Sequence, residues 1–497
     1  MNVEQPSGAE RQEDVLQRVV AFVTARYVAE RCPDATQCEQ GAADKESHPP
    51  ISHGEQYTMG PAAVHTEPFI RLNSTLRLIT MKQIYRRTFL GGAVASAAWA
   101  AARPVRIGIV GVGGRGYGLL RILLDLEGVE IPAVCDIDAK RMARAQDFVE
   151  KTRGKRPEGY SRGEEDFRRL AERADLDAVL CATSWQWHTP VALATMRASK
   201  YAAVEVPAAV TLEQCWQLVK TSEQTRMPCM MLENVNYFRN VMLVQNMIDQ
   251  GLFGEVVHCA GGYHHDTRFL SFLDNGEPSW RTKFAEKLNG NLYPTHPIGP
   301  IARWMKINHG DRFARLVSMS TVSRGFNVYA ARKLGPAHES ATRRYAQGDV
   351  NTTLLKTERG YTVVLGYECQ TPRPYDLAFR VQGTKASYSG TLEKIYVESG
   401  DPAQAEKWSD LQPYYDKYEH PMWKQAVSTA GRYSHGGGDY FVLRDFVEAV
   451  RQQSQTPIDV YDSVTWSAIF PLTIQSVAAG SSTVEFPDFT GGKWKNA

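Results

Sequence analysis

The chain has 497 residues, of which 43% are hydrophobic and 23% charged, and a formal net charge of +2. This describes a globular protein of two or three domains and offers no electrostatic basis for a nucleic-acid partner. The eight cysteines are scattered without a C-x-x-C pair, so neither a zinc site nor a disulfide framework is legible, and no apolar run reaches the length of a membrane span.

Residues 1–80 read as an extension outside the fold: an amphipathic helix over 13–31, with Val15, Val19, Val20, Phe22, Val23 and Tyr27 on its apolar side, then a polar stretch rich in Gly, Pro, Gln and His. Met81 opens a basic segment with Arg86-Arg87, followed by Phe89-Leu90, a short run of small apolar residues and Ala98-Trp99-Ala100. That is the layout of a twin-arginine export signal over 81–102 with an A-x-A cleavage site. The expectation is that translation starts at Met81 and that the product is periplasmic or extracellular. The twin-arginine route carries folded proteins, which suits one that captures a dinucleotide before leaving.

The segment 105–116, VRIGIVGVGGRG, is an apolar strand running straight into glycines. In a G-x-G-x-x-G turn Gly111 permits the tight bend, Gly113 lets a diphosphate approach the backbone, and Gly116 lets the next helix, predicted over 117–126, pack on the strand. A second strand over 129–135 ends at Asp136, placed to accept hydrogen bonds from an adenosine ribose. A 2′-phosphate would be repelled there, so NAD is favoured over NADP. Helices over 139–151 and 164–174, a strand over 178–182, a helix starting near Pro190 and strands over 201–206 and 227–232 continue the alternation. Alternating strands and helices predict an α/β Rossmann domain over 103–235, with a parallel sheet and its ligand at the carboxyl edge. At that edge stand Trp185, Gln186, Trp187 and His188, readable as cofactor flanks or as packing, then Glu205-Val206-Pro207, then Glu233-Asn234.

Beyond 236 the rhythm changes. A helix over 241–250 precedes strands over 256–264, 314–323, 351–357, 362–369, 376–382 and 394–398, then a long loop over 400–436 and helices over 440–453 and 463–479. Strands in succession predict an α+β domain over 236–497 with a large, mostly antiparallel sheet. One face would carry sugar-binding groups, and the other is free for a homo-oligomer interface. His264 and His265 look like a metal pair, but neighbouring strand residues face opposite sides, so no metal site is expected.

The order of glycine turn, acid-ending strand, E-x-P and histidine-bearing helix start resembles the sugar-transforming oxidoreductases that include glucose-fructose oxidoreductase and inositol dehydrogenase. Most of them carry lysine at the middle of E-x-P, where it polarises the reacting hydroxyl; here it is Val206. EVPAA, CMMLENVNYFR, GGYHHDTR, NGNLYPTH and VYDSVTWSAIFPL are together similar to the NAD-dependent α-N-acetylgalactosaminidases of glycoside hydrolase family 109. Two stretches depart from that family: Pro297-Ile298-Gly299-Pro300 stands for Gly-Leu-Gly-Pro, and Gly437-Gly438-Asp439 carries glycine where methionine is expected.

Beside Gly111 and Gly113 of the glycine turn, the resemblance implies that Gly114, Arg115, Asp136, Trp185 to His188, Glu205, Val206 and Asn234 serve a tightly bound, recycled NAD. It assigns Tyr263, Arg281, Tyr293, Pro294, Thr295, His296 and Tyr375 to a carbohydrate substrate. Ordinary glycosidases use two carboxylates, and no such pair is evident here. Oxidation at C3 by NAD would acidify the C2 proton, allow elimination at C1 and addition of water, and end with return of the hydride. His296 suits acid/base work because imidazole titrates near neutrality and a helix start, with Pro297 and Pro300 in its first turn, would hold it. Tyr293 and Tyr375 would assist proton transfer. An NAD-linked sugar oxidoreductase and a non-catalytic sugar-binding protein are the alternatives.

Overall fold

The computed structural model describes residues 103–433 and 435–496. The extension 1–80 and the twin-arginine stretch 81–102 lie outside the described residues.

Six short strands, rich in Val, Ile, Ala and Cys, form a parallel sheet. They are β1 (Val105–Val110), β2 (Val129–Cys135), β3 (Glu158–Tyr160), β4 (Ala178–Cys181), β5 (Tyr201–Val204) and β6 (Cys229–Met231). All four residues of β4 are buried, as expected of a strand covered by helices on both faces. The order β3-β2-β1-β4-β5-β6 reverses direction between β1 and β4, so the binding crevice lies beyond their carboxyl ends. The helix Gly114–Asp125 begins immediately after β1. Gly111 has φ +84°, and a Cβ on Gly116 would lie 1.8 Å from the Gly111 carbonyl oxygen. Only glycine at both positions allows the helix to start so close to the strand.

The second sheet has nine strands: β7 (Val256–His264), β8 (Phe313–Ser320), β9 (Asn351–Thr357), β10 (Thr362–Glu368), β11 (Arg380–Gly383), β12 (Ala386–Ser389), β13 (Lys394–Val397), β14 (Ser409–Asp410) and β15 (Val484–Glu485). Their order is β14-β13-β12-β11-β7-β10-β9-β8-β15, antiparallel except for the central pair β7 and β10. Along β9 buried and exposed residues alternate strictly, so one face meets the core and the other meets solvent. The helix Thr295–Trp304 packs on β7 from the inside.

One nearly all-buried helix, Val460–Ala478, joins the two sheets. Its hydroxyls satisfy backbone amides on both sides: Met231 N donates to Ser463 Oγ (3.0 Å) and Ala208 N to Ser467 Oγ (3.0 Å). Asn291 N donates to Thr473 Oγ1 (2.9 Å) and Ser318 N to Ser476 Oγ (2.8 Å). A helix apolar all round belongs in a core, and its few polar groups must find partners there.

Several elements differ from the sequence reading. The helix expected near Pro190 starts at Trp185, so Trp185 to His188 form its first turn rather than a loop. Pro297 lies in the first turn of Thr295–Trp304, where its missing N–H costs nothing, but Pro300 lies one turn further in and leaves the His296 carbonyl without a helical donor. The strand expected over 376–382 begins at Arg380. The loop over 400–436 contains the helices Gln412–Tyr418 and Pro421–Ala430, the latter capped by His420 accepting from Met422 N. Among the described residues no helix is long and apolar enough to cross a membrane.

Candidate active site

The glycine turn offers an open helix N-terminus: a Cβ on Gly114 would meet nothing within 4 Å. Beside it Asp136 accepts from Val112 N (2.8 Å) and Asp138 N (2.9 Å), which fixes the carboxylate at the end of β2. Gln186 Oε1 and Asn234 Oδ1 are buried at this edge without a partner. An exposed turn for a diphosphate, a fixed carboxylate for a ribose and unfilled amide oxygens for a third group together fit a dinucleotide.

The four residues 185–188 do not act alike. Trp185 is buried against Trp280 (5.0 Å) and Phe284 (5.2 Å) and stacks on Tyr293 (5.8 Å). Trp187 turns to Phe167 (5.9 Å). His188 is buried, with Nδ1 2.7 Å from the Pro207 oxygen and Nε2 3.1 Å from the Thr183 oxygen, so it ties the ends of β4 and β5 together. Burial pulls its pKa down.

Arg115 is the centre of a charged cluster. Its Nε donates to Glu205 (2.7 Å), and its two terminal nitrogens donate to Asp439 (2.7 and 2.8 Å). Asp439, 1% exposed at its side chain, also accepts from Asn234 Nδ2 (2.7 Å) and pairs with His435 Nδ1 (2.8 Å). Burial alone would raise the Asp439 carboxyl; the bonds from His435 and Arg115 outweigh it and hold the group well below the usual carboxylate range. Val206, 3% exposed, brings no polar group to the cleft.

A second cluster forms where β7 ends against the start of Thr295–Trp304. Tyr263 lies 4.7 Å from Tyr293, 5.3 Å from His296 and 6.4 Å from Tyr375, ring centre to ring centre. Tyr293 and His296 are 5.0 Å apart. Arg281 stacks over Trp280 (4.3 Å) and reaches toward Trp185 (5.9 Å). A cavity of about 70 Å³ opens between Trp185, Tyr263, Arg281, Tyr293, Leu270 and Phe326. Pro294 and Thr295 are buried at the helix start. Burial keeps the Tyr263 and Tyr293 phenols protonated well above their ordinary range, so they act as hydrogen-bond donors.

His296 is held from behind. Its Nδ1 is 2.7 Å from Glu233 Oε1, and Glu233 is fully buried. That pairing places the ring proton on Nδ1 and leaves Nε2 as the basic nitrogen. Glu233 also accepts from Val235 N (3.1 Å). Tyr263 Oη bonds His265 Nδ1 (3.1 Å), whose ring sits 4.9 Å from Tyr375.

The sequence-derived residues thus collect into two adjacent groups. Tyr293 touches both, stacking on Trp185 and packing against His296. Glu233, Asp439, His265 and His435 were not singled out as site residues in the sequence. Glu233 directly precedes Asn234 at the carboxyl end of β6, which was a usable signal; Asp439 had none beyond its glycine-rich flank.

Comparison with known proteins agrees with both halves. Residues 105–232 match the oxidoreductase family with an NAD-binding Rossmann fold, and residues 237–496 match the glycosyl hydrolase 109 C-terminal domain. A glycosyl hydrolase family 109 protein of Stenotrophomonas maltophilia (strain K279a) is 40% identical over 440 residues, spanning 82% of this chain and 96% of that protein. One from Shewanella woodyi is 42% identical over 401 residues, 79% of this chain and 86% of its own. Among solved structures, levoglucosan dehydrogenase in complex with NADH superimposes with a TM-score of 0.59 at 16% identity, over 78% of this chain and 100% of its own, which shows a shared fold.

Proposed function

Because the chain belongs to glycosyl hydrolase family 109, we propose that it hydrolyses terminal α-N-acetylgalactosamine, or a closely related sugar, with a tightly held NAD regenerated in every turnover. The observation that carries this reading is the Glu233–His296 pair. Glu233 is fully buried with its Oε1 on His296 Nδ1, so the pair fits a base held by a carboxylate better than one of two carboxylates flanking a glycosidic bond. The cluster is equipped for proton transfer at carbon instead.

Asp136, the Gly111–Gly116 turn, Gln186 and Asn234 would hold NAD, whose chemistry here is reversible hydride transfer at C3 of the sugar. With C3 at the carbonyl level, the C2 proton becomes acidic enough for a neutral base. His296 Nε2 takes it, and the C1 substituent leaves. Water would add at C1, its proton passing to the departed oxygen, and His296, its own proton having exchanged with solvent, would deliver one to C2. Tyr293 and Tyr375, as phenols, hydrogen-bond the sugar oxygens and carry protons to and from them, while Arg281, stacked on Trp280, holds the sugar against Trp185. Val206 is in keeping with this reading, since most of the sugar-transforming oxidoreductases carry at that position a lysine that polarises the reacting hydroxyl. The reading includes export by the signal at 81–102.

Stripping the purified protein of nucleotide tests it. Hydrolysis of an aryl α-N-acetylgalactosaminide should fall with the NAD content and return when NAD, not NADP, is added back, with no net NADH absorbance. Full hydrolysis by stripped protein would overturn it.

A further inference from the structure

The Arg115–Asp439 pair joins parts of the chain 324 residues apart, and its position says what it does. Arg115 follows β1 in the glycine turn, Glu205 follows β5 and Asn234 follows β6. Asp439 binds Arg115 and Asn234 directly and reaches Glu205 through Arg115. In the order β1-β4-β5-β6, that chain of bonds spans the carboxyl ends of β4 and β5, beside the crevice at the β1/β4 reversal.

The backbone is shaped to make this contact. Gly436 and Gly437 take left-handed conformations (φ +56° and +81°), and a Cβ on Gly438 would lie 2.4 Å from the Asn234 carbonyl oxygen and 3.0 Å from the Phe238 ring. The helix Gly438–Gln452 therefore starts pressed against the loop after β6, and a methionine side chain at 438 has no room. Tyr433 Oη donates to Asp125 (3.0 Å) and Arg451 Nη2 to the Glu127 oxygen (2.9 Å), so the same segment is tied along the first helix of the Rossmann domain.

Two carboxylates beside a diphosphate site are electrostatically costly, and here they are held by His435, which bonds Asp439, and by Arg115, which bonds both. Its guanidinium, engaged on three sides, leaves the backbone amides of the turn to meet an anion. The arrangement makes sense if the bond network closes something.

We propose that residues 435–439 form a strap over the dinucleotide crevice, and that Asp439 is a positioning residue that bolts the strap to the glycine turn through Arg115, so that opening this bolt sets how fast NAD escapes. This rests on the reading above that NAD is bound there. A glycosidase that regenerates its cofactor in place gains from slow release, whereas a dehydrogenase must exchange it.

The test is NAD release from the full-length protein as purified, diluted into NAD-free buffer and followed by assay of the free nucleotide. Asp439→Asn keeps the side chain's shape and removes the charge; release should speed up roughly ten- to a hundredfold, as expected when one partner of a buried charge pair is removed. The thermal midpoint of the nucleotide-free protein should move little. Gly438→Ala, which pushes the helix start off Asn234, should speed release in the same direction. Asp439→Asn added to Arg115→Gln should do no more than Arg115→Gln alone. If both single variants fold and hold NAD as long as the unaltered protein, or if only the thermal midpoint falls, the strap is overturned. Unaltered protein that neither carries nor takes up NAD would overturn the functional reading as well, so the two failures are distinguishable.

Discussion

His296 and Glu233 show how one contact assigns roles within a site. The buried carboxylate fixes the imidazole tautomer, and the neighbouring tyrosines are kept as phenols, so under the proposed function proton abstraction would fall to one nitrogen. His296→Ala should lower kcat by roughly 10²- to 10⁴-fold, the usual contribution of a general base, while the protein still carries its NAD. Glu233→Gln should lower kcat in the same direction but less, and shift the pH profile, with KM nearly unchanged; steady-state kinetics with nucleotide content measured on the same samples separates these effects. Full activity in His296→Ala would remove the histidine from the mechanism. The histidine was legible from the sequence because its type and its place before Pro297 point to a rigid helix start. Its pairing with Glu233 was not, since it spans 63 residues and depends on how β6 meets the second domain.

At the scale of elements, Val460–Ala478 is the piece on which both domains depend. Its N-cap, Asp459, accepts from Asp462 N (2.9 Å), and burial together with the neighbouring Asp462 pushes the Asp459 carboxyl up to about 6. The folded group therefore holds a proton that the unfolded chain gives up near its ordinary value of 3.8. Its stabilising contribution is complete below that value and is lost as pH rises through about 6. Asp459→Asn keeps a capping oxygen, so it should raise the thermal midpoint at pH above 7 by a few degrees and leave it unchanged near pH 4. Melting curves across that range check the sign, and an equal shift at both ends would contradict it. The sequence exposed the buried strands and this helix because continuous apolar runs and Ser/Thr in an apolar helix are strong local patterns. The short helices Trp280–Lys287, Gly325–Leu334 and Gln412–Tyr418 were not legible, because none carries enough apolar residues in phase to stand out from a polar loop.

For the whole molecule, a dinucleotide fold and a nine-stranded sheet are held in register by a buried helix and by the Arg115–Asp439 network, with Tyr293 packed against both Trp185 and His296. The two-domain order was readable from the change in strand rhythm near residue 236. The join between the domains was not, since its bonds link residues hundreds of positions apart. The central claim is that the sugar passes through a transient oxidised state. Turnover of an aryl α-N-acetylgalactosaminide in deuterated water, by protein as purified and without added nucleotide, tests it most directly. The account expects aryl release with deuterium at C2 of the product and no accumulation of NADH. Aryl release with C2 still carrying only its original hydrogen would contradict it.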